Sequence, residues 1–185
     1  MARSRPSSPK VSSTFELVTG SVEETQALGE QLGRLLQAGD VVALHGELGS
    51  GKTTLIQGVA KGLGLDPERI KSPTFVLVRE YPAVASAVGG AAMPAVVHVD
   101  GYRLEGAPAA AALDLDLVFS PNRITLIEWA ERFAGLLPED RLEVQMHHLS
   151  TNRRKIVLAA HGEHPASIVE QLQPESTNDQ IPSTT

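Results

Sequence analysis

The interpretation of this chain of 185 residues starts from one stretch, Gly46-Glu47-Leu48-Gly49-Ser50-Gly51-Lys52-Thr53. It fits in full the Walker A pattern, Gly-x-x-x-x-Gly-Lys-Thr/Ser. Glycines let the backbone approach phosphates with its N–H groups turned inward, and a following helix presents its positive end to the same anion. Lys52 would place a charge between the outer phosphates, and the Thr53 hydroxyl would ligate Mg²⁺. The stretch predicts a site for a nucleoside triphosphate with magnesium.

The residues on either side of this loop have the context that a phosphate loop requires. Val41-Val42-Ala43-Leu44 is a continuous apolar run, typical of a strand that is buried on both faces. Lys52 to Gly62 has the pattern of a helix, with an apolar side formed by Leu55, Ile56, Val59 and Leu63. Strand, glycine loop and helix follow one another as in phosphate-binding proteins. The alternative is a glycine-rich turn that binds nothing.

A carboxylate that completes the magnesium site is expected at the end of another buried strand. Two residues qualify by position. Asp100 follows the apolar run 95–99, and Glu128 follows the apolar run 124–127. Either residue could also be an ordinary acid that faces water at a strand end, and the pattern alone does not separate the two.

The remaining elements predict an α/β fold. Ser21 to Gln37 reads as an amphipathic helix, with Ser21 as the N-cap and Glu24 completing a capping box. The other predicted helices are 107–118 and 165–172, and the other predicted strands are 15–18, 74–80, 95–99, 124–127, 142–149 and 155–160, with 82–94 as a flexible connection. Strands with intervening helices, followed by adjacent strands, indicate an α/β three-layer sandwich. Its mixed sheet should be parallel in the middle with antiparallel edge strands.

Length and composition favour one domain. Of the residues, 42% are hydrophobic and 21% are charged, as in an ordinary soluble protein. We expect a single domain over 14–173, with disordered polar tails at 1–13 and 174–185. No apolar run approaches the roughly 20 residues that span a bilayer, and the N-terminal segment lacks the apolar core of a signal peptide. A cytoplasmic location is therefore expected.

Two further properties limit the function. There is no cysteine, which excludes disulfides and thiolate metal sites. The net charge of −6 argues against autonomous binding of nucleic acid, which usually needs a basic face. If RNA is involved, we expect another protein to hold it.

Several motifs, in order, resemble those of the TsaE family, formerly YjeE, the small ATPase of bacterial tRNA threonylcarbamoyladenosine synthesis. The resemblance covers about residues 15–158. Its motifs are Ser21-Val22-Glu23-Glu24-Thr25-Gln26-Ala27-Leu28-Gly29, the phosphate loop with His45 and Thr54, Lys71-Ser72-Pro73-Thr74-Phe75, His98-Val99-Asp100-Gly101-Tyr102-Arg103-Leu104, Ile127-Glu128-Trp129 and Leu137-Pro138. Their order and spacing are specific, and the resemblance implies a P-loop NTPase-like fold with ATP and Mg²⁺ as ligands.

The resemblance also implies roles for individual residues. Lys52 would contact phosphates, and Thr53 and Glu128 would hold Mg²⁺, which favours Glu128 over Asp100. Asp100 would support hydrolysis or position water, and Thr74 would lie on a segment that senses the γ-phosphate. The implied nucleotide contacts are Glu47, Leu48, Gly49, Ser50, Gly51, Lys52, Thr53, Thr54 and Trp129. Simpler interpretations remain open, namely core packing for Trp129, a strand start for Thr74 and a surface pair for Tyr102 and Arg103.

The chain departs from the family pattern in places. Gly101 stands where the family usually has a bulky apolar residue, and Ala130 replaces a frequent proline. The 82–94 connection is long, and 107–117 has fewer acids than usual. These departures put local geometry in question.

Three functions remain to be weighed. The first is slow hydrolysis of ATP, coupled to the partner proteins TsaB and TsaD, with tRNA met only indirectly. The second is a small-molecule kinase, which shares the phosphate loop but needs an arginine-rich lid, whereas 82–94 has no charge. The third is a non-catalytic assembly factor that nucleotide binding controls. GTP is less favoured because no Asn-Lys-x-Asp motif occurs.

Overall fold

The computed structural model describes residues 11–83 and 93–174. Its strands are β1 (Val11–Thr19), β2 (Val41–His45), β3 (Val78–Tyr81), β4 (Ala95–Asp100), β5 (Arg123–Glu128), β6 (Arg141–His148) and β7 (Arg154–His161). Its α-helices are α1 (Val22–Leu35), α2 (Lys52–Gly62), α3 (Ala107–Ala110), α4 (Leu115–Val118) and α5 (Glu163–Leu172). Two short 3₁₀ turns lie at Pro67–Arg69 and Ala130–Phe133.

The strands form one mixed sheet of seven strands in the order β1-β7-β6-β2-β5-β4-β3. The central strands β6, β2, β5 and β4 run parallel to one another. β7 and β1 on one side, and β3 on the other, are antiparallel. This confirms the predicted α/β class and the mixed sheet with antiparallel edges. Because β2, β5 and β4 are parallel, their carboxyl ends meet at one edge, where Leu44 lies beside Glu128 and Glu128 beside Asp100.

Alternating side chains of β2 point into two separate apolar cores. Val42 and Leu44 belong to the core that packs against α1, α2 and α5. Val41 and Ala43 belong to a smaller core, which is closed by α3, α4 and the Ala130–Phe133 turn. A strand that is buried on both faces reads as a continuous apolar run, as seen in the sequence. The helical cover is therefore full on one face of the sheet and limited to single turns on the other.

Glycines allow α1 and α2 to pack against each other with their backbones almost in contact. A Cβ atom on Gly29 would lie 2.3 Å from the carbonyl oxygen of Leu55, and one on Gly33 would lie 2.2 Å from that of Val59. The reverse holds for Gly58, where a Cβ would be 2.2 Å from the oxygen of Gln26. This close crossing fixes α2, and with it the loop that precedes α2.

Two predicted elements are wrong in extent. The helix expected over 107–118 is two single turns, because Asp114 leaves the helical conformation and its side chain accepts a hydrogen bond from Leu117 N at 3.1 Å, starting a new turn. The strand expected over 74–80 begins only at Val78. Before it, the N–H groups of Val76 and Leu77 both donate to Pro73 O in a turn, and Leu77 has a φ of 65°.

The N-terminal predictions hold in part. Ser21 caps α1 as predicted, accepting a hydrogen bond from Glu24 N at 3.1 Å. The Glu24 carboxylate accepts from Gly20 N instead of the Ser21 N–H that a capping box uses. β1 begins at Val11, three residues before the predicted domain start, because Val11 pairs with His161 of β7.

Some predictions fall on residues 1–10, 84–92 and 175–185, which lie outside the described part of the chain. They are most of both predicted tails and most of the 82–94 connection. Over the described ranges, no helix has the length and apolar character to cross a membrane.

Candidate functional site

The predicted phosphate loop lies between β2 and α2, and its shape depends on glycine. Gly46, Gly49 and Gly51 have φ values of 144°, 79° and 103°, which side-chain-bearing residues rarely adopt. A Cβ on Gly46 would also lie 2.4 Å from Met146 O. Because α2 begins at Lys52, the unpaired N–H groups of its first turn lie directly after the loop. A glycine loop followed by a helix N-terminus is a local structure suited to phosphate.

Lys52 is the buried cation of the loop, with only 4% of the residue exposed. Its ammonium donates to Gly46 O at 2.7 Å and to Glu47 O at 2.9 Å, and lies 4.0 Å from the centre of the Trp129 ring. Burial lowers the pKa of Lys52, against the opposing charges of Glu128, Glu131, Asp100 and Glu47. A buried cation beneath a glycine loop can neutralise phosphate oxygens.

Thr53 and Glu128 bring a hydroxyl and a carboxylate together at the start of α2. The Thr53 hydroxyl is 2.9 Å from Glu128 Oε2 and 3.0 Å from Oε1. The carboxylate also accepts from His98, whose Nε2 is 2.9 Å from Oε1, and His98 is completely buried. Glu128 is therefore held on both sides, with its charge facing the start of α2.

Asp100 is tied to a different set of groups. Its Oδ2 accepts from the Ser72 hydroxyl and from Thr74 Oγ1 at 2.6 Å, and its Oδ1 accepts from Tyr102 N at 2.8 Å. Ser72 and Thr74 are themselves 2.7 Å apart through their hydroxyl oxygens. Thr74, which lies in the turn before β3, therefore contacts Asp100. Glu128 contacts Thr53 instead.

Trp129 turns the chain directly after Glu128. Its φ of 59° is unusual for a residue with a side chain, and its ring lies 5.1 Å from that of Tyr102. The neighbouring Gly101 is crowded, because a Cβ there would lie 2.9 Å from Trp129 O. The departure from the family pattern at Gly101 therefore coincides with a close approach to the Trp129 backbone.

These residues line one open cleft of about 460 Å³. The predicted site residues that line it are Leu48, Gly49, Gly51, Lys52, Thr53, Thr54, Thr74, Asp100, Glu128 and Trp129. Two of the predicted site residues, Ser50 and Glu47, do not line the cleft. Ser50 is buried, with its hydroxyl 3.5 Å from the Lys52 ammonium, and Glu47 is exposed, with its carboxylate accepting from His148 N at 3.3 Å.

Five residues of the site were given no role from the sequence. Ser72, Phe75, Tyr102 and Arg154 line the cleft, and His98 lies beneath it. Ser72 and Phe75 belong to a motif that carried the resemblance. His98 is a polar residue inside an apolar strand, and such a residue needs a hydrogen-bond partner when it is buried, so its position in the sequence could have indicated a role. Arg154 lies outside every motif that carried the resemblance.

The donor set fits a triphosphate with Mg²⁺. Hydroxyl and carboxylate oxygens are the ligands that Mg²⁺ prefers, and it commonly takes one or two from protein and others from phosphates and water. Among the described residues, no group of three or more His, Asp or Glu is placed to hold a metal alone. Lys52, the loop backbone and the start of α2 supply the complementary positive side.

Comparison with known proteins identifies relatives. A sequence model described as "Threonylcarbamoyl adenosine biosynthesis protein TsaE" matches residues 19–156. The TsaE protein of Streptomyces coelicolor is 43% identical over 120 residues, covering 64% of this chain and 76% of the relative. That of Bacillus subtilis is 33% identical over 154 residues, covering 83% and 90%. Both are named tRNA threonylcarbamoyladenosine biosynthesis proteins.

A solved structure has the same fold. The crystal structure of Bacillus subtilis YdiB matches with a TM-score of 0.68 and 29% identity, covering 86% of this chain and 94% of that one. The family model spans the phosphate loop, Asp100 and Glu128, and ends two residues beyond Arg154. By this match and by the identity of its relatives, the chain belongs to the TsaE family.

Proposed function

We propose that this chain binds ATP with Mg²⁺ in the cleft and hydrolyses it slowly, in support of tRNA threonylcarbamoyladenosine synthesis. One observation carries the proposal. Lys52 and Thr53 at the start of α2, Glu128 at the end of β5 and Asp100 at the end of β4 converge on one cleft. This is the distribution of groups expected of a P-loop NTPase, in which a strand-end acid faces the loop threonine.

The roles follow from the contacts. Thr53 and Glu128 would hold the ion, which would supply positive charge next to the outer phosphates. Lys52 leaves its carbonyl partners to contact the same phosphates, which compensates for its burial. Asp100 accepts hydrogen bonds from Ser72 and Thr74, and its remaining acceptor capacity orients a water for in-line attack. Thr74 links that water site to the turn before β3.

The pathway assignment rests on the family. TsaE relatives carry the name of the tRNA modification, and the resemblance of the motifs implies TsaB and TsaD as partners. A net charge of −6 favours a protein that meets tRNA through such partners, in the cytoplasm, over one that binds RNA alone. In this proposal, ATP hydrolysis by the chain permits or restarts the reaction of the TsaB–TsaD pair. The chain itself does not transfer the threonylcarbamoyl group.

Two other functions stay open as alternatives. A small-molecule kinase would transfer the γ-phosphoryl group to a metabolite, and phosphotransfer assays with candidate acceptors would detect it. A nucleotide-controlled assembly factor would bind ATP without turnover. The Asp100–Thr74–Ser72 cluster favours hydrolysis, because it gives water an acceptor in the cleft.

Two substitutions test the proposal. Lys52→Ala should abolish ATP binding measured by isothermal titration, since it removes the buried cation. Glu128→Ala should leave nucleotide binding largely intact and lower kcat by on the order of 100-fold or more, since it removes a metal ligand. Lys61→Ala, on the exposed face of α2, and Glu139→Ala are matched controls and should change neither quantity.

The two outcomes separate the alternatives. Normal turnover by Glu128→Ala would show that the metal assignment is wrong. Binding without any phosphate release by the unaltered protein, alone and with its partners, would favour the assembly factor.

A further inference from the structure

His45 and Glu131 form a polar contact outside the nucleotide cleft, and no step above uses it. His45 ends β2 and directly precedes Gly46, the first residue of the phosphate loop. Glu131 lies in the 3₁₀ turn Ala130–Phe133, two residues after Trp129. His45 Nδ1 is 3.6 Å from Glu131 Oε2. The contact therefore joins the start of the phosphate loop to the turn that follows Trp129.

This contact lies on the face of the sheet away from α1 and α2. Side chains alternate along β2, so His45 shares a face with Val41 and Ala43, which belong to the smaller core. On that face His45 and Glu131 line a second open cavity of about 340 Å³. Neither is among the described residues that line the nucleotide cleft. Any effect of the contact on a nucleotide must therefore act through the backbone or through charge.

Glu131 is the acid that orients the His45 ring. An ionised carboxylate only accepts hydrogen bonds, so we expect the nitrogen that faces it, Nδ1, to carry a proton. Glu143 lines the same cavity, but it is paired with Arg141 at 2.7 Å. Among the described residues, Glu131 has His45 as its one ion-pair partner.

The two segments that this contact joins also hold Lys52. The Lys52 ammonium donates to Gly46 O at 2.7 Å and to Glu47 O at 2.9 Å, the two carbonyls directly after His45. The same ammonium lies 4.0 Å from the centre of the Trp129 ring. A shift of the loop start relative to Trp129 would therefore move Lys52.

The charge of Glu131 acts in the same direction as this geometry. Burial lowers the pKa of Lys52, and Glu131 opposes that shift less than Glu128 does and more than Asp100 does. Glu128 and Asp100 line the cleft, where the proposed function assigns them to the ion and to water. Glu131 is held from outside the cleft, so it supplies negative charge near Lys52 without occupying either position.

We propose that Glu131, oriented by His45, is a positioning residue of the nucleotide site. The pair fixes the start of the phosphate loop relative to Trp129 and thereby places the Lys52 ammonium for the outer phosphates. Neither residue of the pair touches the nucleotide or the ion. This inference rests on the proposed function and adds to it a contact on the opposite face of the sheet.

The test compares Glu131→Gln and His45→Gln with Glu139→Gln, which removes the same charge from an exposed residue of the same cavity. ATP affinity is measured by isothermal titration calorimetry, and the emission of Trp129, the only tryptophan, is recorded without nucleotide. We expect Glu131→Gln and His45→Gln each to weaken ATP binding by about 2- to 5-fold, the scale of a partly exposed ion pair, and to shift the emission. Glu139→Gln should match the parent in both measurements.

A double substitution tests whether the two residues act as a pair. Because they act through one contact, the protein with both Glu131→Gln and His45→Gln should bind ATP no more weakly than the weaker single variant. Effects that multiply would show that the residues act independently and would overturn the pair.

The other results separate this inference from the proposed function. If the parent protein binds no ATP, the proposed function fails. If the parent binds ATP and Glu131→Gln binds equally with unchanged Trp129 emission, only this inference fails. Weaker binding with unchanged emission would overturn the positioning role. An equal loss in Glu139→Gln would show that only the net charge of the cavity matters, which would also overturn it.

A measurement on the unaltered protein guards against a variant that does not fold. In protein labelled with ¹⁵N at histidine, the His45 ring signals should shift when ATP and Mg²⁺ are added, although the ring lies outside the cleft. The reason is that Lys52 would leave the carbonyls of Gly46 and Glu47, directly after His45. Unmoved ring signals at saturating ATP would contradict the proposal.

Discussion

At the scale of single residues, His98 shows how the side of the cleft that carries Glu128 is ordered. His98 is fully buried in β4, and its ring reaches Glu128 in the neighbouring strand β5. An ionised carboxylate can only accept, so Nε2 carries the proton and donates to Glu128 Oε1. This bond fixes the carboxylate that also meets Thr53, which is how residues behind a ligand orient it. We therefore expect His98 to act as a positioning residue for Glu128.

Loss of this bond should weaken metal binding specifically. His98→Ala should reduce the affinity for Mn²⁺ in the presence of nucleotide by about 10-fold or more, measured by electron paramagnetic resonance. His98→Gln, which keeps an N–H donor, should lose less. Affinity for nucleotide in EDTA is the internal control and should stay near that of the parent. Equal Mn²⁺ affinity in parent and His98→Ala would show that the ring only fills space.

At the scale of elements, the α1–α2 crossing supports the phosphate loop. α2 is held by glycine-to-backbone contacts that leave no space for a methyl group, at Gly29, Gly33, Gly58 and Gly62. Alanine is normally favoured over glycine in a helix by about 1 kcal/mol. Here steric overlap outweighs that preference, because the opposing atoms are backbone and cannot rotate away.

Gly58→Ala should therefore destabilise the protein. The added Cβ would lie 2.2 Å from Gln26 O, and we expect the free energy of unfolding to fall by about 1–3 kcal/mol in urea titrations. Gln31→Ala, on the exposed face of α1, should stay within about 0.5 kcal/mol of the parent. A Gly58→Ala protein as stable as the parent would mean that the helices separate at little cost.

At the scale of the whole molecule, the mixed sheet brings together groups that are far apart in the chain. The site takes Lys52 and Thr53 from α2, Asp100 from β4, Glu128 from β5 and Arg154 from β7. The turn before β3 adds Ser72 and Thr74. An exposed apolar side chain, Phe75, stands beside this turn at the cleft, with 85% of the residue exposed and Arg103 over its ring.

Partner binding should depend on the nucleotide. In size-exclusion chromatography with purified TsaB and TsaD, we expect the chain to co-elute with them in the presence of ATP and Mg²⁺ and to be retained less without nucleotide. Lys52→Ala should behave as the nucleotide-free protein under both conditions, whereas Lys61→Ala should behave as the parent. Co-elution that is the same with and without ATP, and the same for Lys52→Ala, would argue against nucleotide control of assembly.

Local patterns predicted the parts of the fold that depend on neighbours in sequence. The apolar run 41–44, the Walker A glycines and the Ser21 cap are short-range signals, and the structure has a strand, a loop and a capped helix at these places. The strand-end acids Asp100 and Glu128 were predicted as candidates for the same reason. The helix over 107–118 and the strand over 74–80 were predicted too long, because a side-chain cap at Asp114 and a turn at Pro73 interrupt an otherwise regular pattern.

Only the tertiary structure shows which residues from distant segments meet. It places Glu128 against Thr53, Asp100 against Thr74, and His98 and Arg154 next to the loop, because these contacts depend on strand order and crossing helices. The sequence by itself determined the chemistry available to this protein, a glycine loop with a lysine, a threonine and strand-end acids. Which acid faces Thr53 and which arginine lies buried beside the phosphate loop follow from packing between elements, which no local pattern encodes.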